Sequence, residues 1–75
     1  MFPEYKLRVD KEKLSEARSL AVNVINEISG CGVAMAATLL SSKLPQVLNF
    51  PLYKHQALIL QQELKIRGYD ATPLV

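Results

Sequence analysis

The spacing of apolar residues changes early in this chain, and this change constrains the fold more than any other feature. Tyr5, Leu7 and Val9 alternate with Lys6 and Arg8. Such alternation predicts a β-strand with one buried face. Further along, apolar residues recur every three or four positions, which is typical of amphipathic helices. The chain is therefore predicted to combine strands with helices.

The first predicted helix follows directly on this strand. Asp10 is its predicted N-cap, because a short carboxylate accepts hydrogen bonds from free amides of a first turn. Its apolar stripe consists of Leu14, Ala17, Ala21, Val24, Ile25 and Ile28. Gly30 is the predicted end, since glycine adopts a left-handed C-cap at little cost.

A second helix is predicted from Val33 to about Lys43, because apolar residues again recur at helical spacing. Pro45 prevents its continuation. Residues 46–50 are then predicted to form a short strand, and Pro51 either ends it or opens the next helix.

The third predicted helix has Tyr53, Ala57, Leu60 and Leu64 on its core face and ends at Gly68. Residues 69–75 are predicted to form the last strand. Pro73 lies within that strand, which indicates a position at the edge of the sheet.

The predicted order is β-α-α-β-α-β, and the predicted fold class is α+β. Seventy-five residues suffice for one small hydrophobic core, so residues 1–75 are expected to form a single domain. A three-stranded sheet covered on one face by three helices accommodates this little apolar material best. The predicted core is Leu7, Val9, Ala21, Ile25, Ile28, Val33, Leu40, Ala57, Leu60 and Leu64.

The sequence offers no catalytic, cofactor or metal site. Cys31 is the only cysteine and His55 the only histidine, and no third group is placed to orient them as a nucleophilic pair. The Gly30-Cys31-Gly32 turn matches neither a phosphate-binding loop nor a dinucleotide-binding loop. We therefore expect a protein that is not an enzyme.

Charge and hydropathy argue against nucleic acid and membrane as partners. The formal net charge is +2, and the basic residues of the first strand region alternate with acidic ones. The longest uncharged run, residues 28–42, is shorter than the ~20 apolar residues that span a bilayer. Because no targeting segment is evident and the lone cysteine is free, we expect a cytoplasmic protein.

Between Ser19 and Tyr53 only Glu27 and Lys43 are charged. A domain of this size cannot bury a third of its chain, so part of this segment is expected on the surface. Neutral surfaces of this kind often bind other proteins.

The third predicted helix carries apolar residues on its outer face as well. At 100° per residue, four residues lie opposite its core stripe: His55, Ile59, Gln62 and Ile66. We expect this outer stripe to make an oligomer contact, most simply a weak symmetric homodimer.

The order of the predicted elements and the spacing of glycine, proline and apolar residues resemble those of the C-terminal globular domain of the bacterial ribosomal large-subunit stalk protein. The residues that carry the likeness are Gly30, Gly32, Val33, Ala36, Leu39, Leu40, Pro45, Leu48, Leu52, Tyr53, Lys54, Ala57, Leu60, Leu64 and Gly68. The resemblance extends from about Arg18 to Val75 and implies that family's compact fold, which the ClpS protease adaptors share.

In the stalk family the first helix and the helix–helix turn bind translational GTPases through basic residues around an exposed aliphatic side chain. The resemblance transfers the charge only to Arg18 and the aliphatic position to Val22. Uncharged residues stand at the other basic positions of the family: Asn23, Asn26, Ala34 and Ala37. The predicted partner-binding set is therefore Arg18, Val22, Asn23, Asn26, Val33, Ala34 and Met35, acting by burial more than by charge.

These observations predict a small protein-interaction module, such as a regulator or inhibitor of a larger protein machine, of the kind that a phage or mobile element encodes. Two alternatives follow from the resemblance. One is a divergent ribosome-associated domain that binds translation factors. The other is a ClpS-like degradation adaptor, in which Asp10 is the one acid placed to bind a substrate amino group.

Overall fold

The computed structural model describes residues 3–13 and 15–75. The elements in chain order are β1 (Tyr5–Glu12), α1 (Arg18–Ser29), α2 (Val33–Ser41), β2 (Gln46–Leu52), α3 (Lys54–Ile66) and β3 (Tyr69–Leu74). A short 3₁₀ helix, Ser15–Ala17, leads into α1. The fold is α+β with the predicted order β-α-α-β-α-β.

The strands form one antiparallel sheet in the order β2-β1-β3, so β1 is central and the other two strands are edges. Leu7 of β1 lies opposite Leu48 of β2 and Pro73 of β3. The register between β1 and β3 shifts between Val9 and Lys11, which places Asp10 at a β-bulge. The predicted edge position of the last strand is confirmed.

The core lies between the sheet and the helices. Leu7 and Val9 point into it with no exposed surface, while Lys6 and Lys11 of the same strand are exposed. The remaining buried apolar residues are Ala21, Val22, Val24, Ile25, Ala36, Leu39, Leu40, Leu48, Leu52, Ala57, Leu60, Leu64, Tyr69 and Ala71. Helices α2 and α3 contact the strands, and α1 packs against both of these helices.

Four expectations about the fold are wrong. Pro51 neither ends the second strand nor opens a helix, because β2 continues to Leu52. Asp10 does not cap a helix, because β1 continues to Glu12 and α1 starts only at Arg18 after Ala17. Val33 is 51% exposed rather than buried, since it lies in the first turn of α2, beyond the part of that helix that packs on the core. Tyr53 is the N-cap of α3 and is exposed instead of lying on the core face.

Of two further expectations, one is partly met and the other concerns a residue that the structure does not describe. Ile28 packs against the core but is only partly buried. Leu14, predicted to open the first helical stripe, lies outside the described residues.

Candidate functional site

A groove of about 400 Å³ runs between α2 and the free edge of β2. We call it the α2–β2 groove. Its lining residues are Ala34, Met35, Thr38, Leu39, Val47, Leu48 and Asn49. Met35 and Val47 are about two-fifths exposed, at 42% and 41%, whereas Leu39 and Leu48 are buried beneath them. The groove therefore has an apolar floor and an exposed apolar residue on each side, Met35 from α2 and Val47 from β2. Val47 pairs with Arg8, so its side chain lies on the sheet face away from the helices.

None of the residues that line the groove is charged. Its few polar side chains already have partners within the protein. The Thr38 hydroxyl donates a hydrogen bond to the Ala34 carbonyl oxygen at 2.9 Å. The Asn49 side-chain oxygen accepts one from Lys6 at 3.4 Å. A ligand in this groove would therefore meet mainly apolar surface.

The backbone register shows which groups of β2 point outward. The Gln61 side-chain amide donates to the Ala71 carbonyl oxygen at 3.0 Å, so that carbonyl lies on the outer edge of β3. Pro73 has no N–H to give to a ladder and also fits an outward position. Both residues stand opposite Val9 and Leu7, whose backbone groups therefore face β2.

In an antiparallel pair, residues alternate between bonding to the neighbouring strand and facing away from it. This alternation gives the direction of the backbone groups of β2. Since Leu7 and Val9 bond to Leu48 and Gln46, the N–H and C=O groups of Val47 face away from β1. The register shifts between Leu48 and Leu52, and the outward position of Asn49 follows from the alternation along β2 itself. Val47 and Asn49 both line the α2–β2 groove. The groove is thus bordered on one side by a strand edge with free hydrogen-bonding groups.

A second, polar depression of about 430 Å³ lies at the opposite edge, between α3 and β3. Asp10 lines it, with Arg8 donating to one carboxylate oxygen and Thr72 to the other. The Thr72 hydrogen bond, aided by Arg8, holds the pKa of Asp10 below its usual value. Asp70 pairs with Lys13 at 3.2 Å. The carboxylates of this depression already have partners within the chain, so Asp10 is not a free acid for a substrate amino group.

The predicted contact residues on α1 have mostly structural positions. Arg18 donates to both carboxylate oxygens of Glu12, at 2.9 and 3.2 Å, which raises the pKa of the guanidinium. Val22 is buried, with 8% of its surface exposed, so the expected exposed aliphatic position is wrong. Because α1 packs against both other helices, its buried stripe is wider than a single core face. Asn23 is exposed.

Side chains hold the turn between α1 and α2 in place. The Asn26 side-chain oxygen accepts a hydrogen bond from the Gly32 N–H at 3.0 Å. The Gln56 amide of α3 donates to the Ile28 carbonyl oxygen, also at 3.0 Å. Gly30 has φ 74°, and an added Cβ there would have no described heavy atom within 4 Å. The predicted glycine C-cap is confirmed, and Asn26 acts as a structural residue of the turn.

The outer stripe of α3 is exposed as expected. Ile59 is 49% exposed and Ile66 67%, and the side chains of His55 and Gln62 are also on the surface. Leu58, which the sequence reasoning missed, adds a further apolar side chain at 47% exposure. Its spacing of four residues from Gln62 would have identified it.

The sequence reasoning placed Ala34, Met35 and Val33 on the partner surface, and all three are exposed. It missed Val47 and Asn49, which complete the groove from the sheet side. Their alternation with Leu48 indicates one exposed strand face, but only the strand order shows that β2 is an edge.

A scan against protein-family models gives no match, and a search of curated proteins gives none either. The resemblance to the stalk domain therefore remains a prediction. In the part of the chain that the structure describes, no helix is long and apolar enough to cross a membrane. Within the same residues there is no group of three or more His, Cys, Asp or Glu side chains suited to a metal ion.

Proposed function

We propose that this protein is a non-enzymatic protein-interaction module whose contact surface is the α2–β2 groove. The observation that carries the proposal is the combination of an uncharged lining with two exposed apolar residues, Met35 and Val47. Small soluble domains that keep apolar side chains together at the surface generally use them for binding. A domain of this size would bind by covering part of the surface of a larger protein, as a regulator or inhibitor does.

The absence of charge in the groove lining also predicts how binding responds to salt. Neutral interfaces gain little from electrostatic steering, so their affinity changes little with ionic strength. Binding that collapses between low and moderate salt would instead point to the basic residues of β1.

The test is affinity capture from the native cell or host, followed by mass spectrometry, with wild type and two matched variants. Met35→Glu places a charge in the groove, and Leu20→Glu places the same charge on exposed apolar surface of α1. We expect Met35→Glu to lose a partner that the wild type and Leu20→Glu retain. Thermal melts should show that both variants fold, because Leu20 is 58% exposed and Met35 42%.

A partner that all three proteins capture equally well would overturn the assignment to the groove. The identity of a partner lost specifically from Met35→Glu also separates the alternatives. Translation factors or ribosomal proteins would favour the ribosome-associated domain, and a chaperone–protease would favour the degradation adaptor. An unrelated enzyme would favour the regulator.

A further inference from the structure

We propose that the α2–β2 groove binds its partner by strand addition, accepting an extended and uncharged segment that pairs with β2. This inference rests on the proposed function and specifies the chemistry of the partner. It predicts a contact made partly by backbone hydrogen bonds and partly by one inserted side chain.

The backbone of β2 provides the pairing groups. The ladder register requires the N–H and C=O of Val47 to face away from β1, and the alternation along β2 places those of Asn49 in the same direction. These two residues are separated by one position, which is the repeat of outward-facing groups along a strand. An antiparallel segment opposite them can therefore exchange a pair of hydrogen bonds with each.

The groove provides a place for one side chain of that segment. Residues opposite each other in a sheet share a face, so the segment residue opposite Leu48 points to the helix side. On that side it meets Met35 and Leu39 of α2. A volume of about 400 Å³ accommodates one aliphatic side chain, such as leucine or isoleucine, with room to spare.

Charge selects the class of segment. Because no charged residue lines the groove, a carboxylate or ammonium group at the central position would lose its hydration without gaining a partner. The segment is therefore uncharged at its centre, with an aliphatic residue flanked by residues that favour extended backbone.

The other sheet edge does not offer the same site. At β3 the Ala71 carbonyl already accepts a hydrogen bond from Gln61, and Pro73 has no N–H. β2 also contains a proline, Pro51, but it lies beyond Asn49 near the end of the strand. Strand addition is thus expected at the Val47–Asn49 part of β2.

A second copy of this chain fits the groove poorly. The β2 side chains on the helix side are Leu48 and Leu52, which are buried in their own core, Phe50, which is partly buried there, and the polar Gln46. Pairing two β2 strands would leave both grooves without an inserted side chain. A seven-residue edge strand also supplies far less than the roughly 800 Å² per partner of a standard interface.

The probe for the experiment is a display library of random octapeptides selected on the wild-type protein, with Met35→Glu as the parallel selection. We expect enriched peptides that lack charge at their central positions and carry an aliphatic residue there. With a selected peptide bound, NMR should show the Val47 and Asn49 amides exchanging with solvent at least about tenfold more slowly. The Ala71 and Thr72 amides should be unchanged.

N-methylation of the selected peptide provides a matched control within the probe. Methylation of a residue whose N–H faces β2 should weaken binding about fivefold or more, through loss of one backbone hydrogen bond. Methylation of the next residue, whose N–H faces away, should change it little.

The result distinguishes this inference from the proposed function. Peptides that select normally on Met35→Glu, or no enrichment at all, would overturn strand addition at this groove. So would peptides that bind without protecting Val47 and Asn49, or with equal sensitivity to methylation at alternate positions. If a cellular partner still depends on Met35 in those cases, the interaction module stands and only the strand-addition mode falls.

Discussion

At the β3 edge the Gln61 amide donates to the Ala71 carbonyl oxygen, and Pro73 removes a backbone donor. The β2 edge also contains a proline, Pro51, but Val47 and Asn49 before it have outward-facing N–H and C=O groups. The depression beside β3 and the α2–β2 groove also differ in their polar groups. The one beside β3 contains carboxylates with partners, and the one beside β2 is uncharged. Because an open edge invites pairing with other chains, natural sheets usually protect it. The contrast indicates that the chain protects one edge and keeps the other available.

The largest expected effect concerns the hydrophobic core, on which both edge strands depend. Leu60 has no exposed surface and lies in the core beneath the sheet. Leu60→Ala should lower the free energy of unfolding by about 2–5 kcal/mol, because it leaves a cavity. Urea unfolding measures this loss, and Leu20→Ala, at an exposed position, should change stability by less than about 0.5 kcal/mol. An unchanged stability of Leu60→Ala would place this residue outside the core.

A smaller effect tests the protected edge itself. Gln61→Met keeps the length of the side chain but removes the amide that bonds to Ala71. We expect a loss of about 1 kcal/mol, the net contribution of one such hydrogen bond. The control is Gln62→Met on the exposed face of the same helix, which should change stability little. Equal stability of the two variants would mean that Gln61 does not hold the β3 edge.

The Asp10–Thr72 hydrogen bond predicts a pH-dependent effect at the same edge. Thr72 lowers the pKa of Asp10, so this bond stabilises the fold at neutral pH, and the benefit disappears as the carboxylate protonates in acid. Thr72→Val should therefore cost about 0.5–1 kcal/mol at neutral pH and less at pH 3, with the cost decreasing further as the pH falls through the lowered pKa of Asp10. Urea unfolding at both pH values measures the difference.

The control for this prediction removes the titrating group. In an Asp10→Asn background the effect of Thr72→Val should no longer depend on pH. A pH dependence that persists there would assign it to a different ionisable group.

The outer stripe of α3 is expected to affect association more than stability. Replacing both Ile59 and Ile66 with lysine should change the free energy of unfolding by less than about 0.5 kcal/mol, since both side chains are exposed. If the stripe forms a weak homodimer, sedimentation at several concentrations should show wild-type dimers that the double variant lacks. A wild type that stays monomeric at high concentration would contradict self-association and leave β2 as the one proposed contact.

The fold could be predicted further from the sequence than the site could. Local spacing alone indicated every helix and strand of the main order, because alternation and helical periodicity survive in so short a chain. The Asp10 error arose because a residue typical of helix caps also fits a β-bulge, which depends on pairing with a distant strand.

The site depended on tertiary information. Val22 was expected to be an exposed aliphatic residue, but it is buried on a helix that packs against two others. The sequence identified Met35 as exposed apolar surface, yet the opposite wall of the groove comes from Val47 and Asn49 of a strand whose edge position no local pattern reveals.

Gly30 has a consequence that is stereochemical. Its φ of 74° and ψ of 16° lie in the region that L-residues avoid, yet the space around its Cα is open. An alanine of the usual hand would be strained there by its backbone alone, whereas for a D-alanine the same angles are the ordinary helical ones. A mirror-image residue would thus keep the native turn while restricting the unfolded chain, a gain of about 0.4–1 kcal/mol by analogy with glycine-to-alanine replacement at compatible positions. Glycine provides this left-handed conformation in the encoded chain, and chemical synthesis with D-alanine at position 30 would provide the same conformation in a more rigid form.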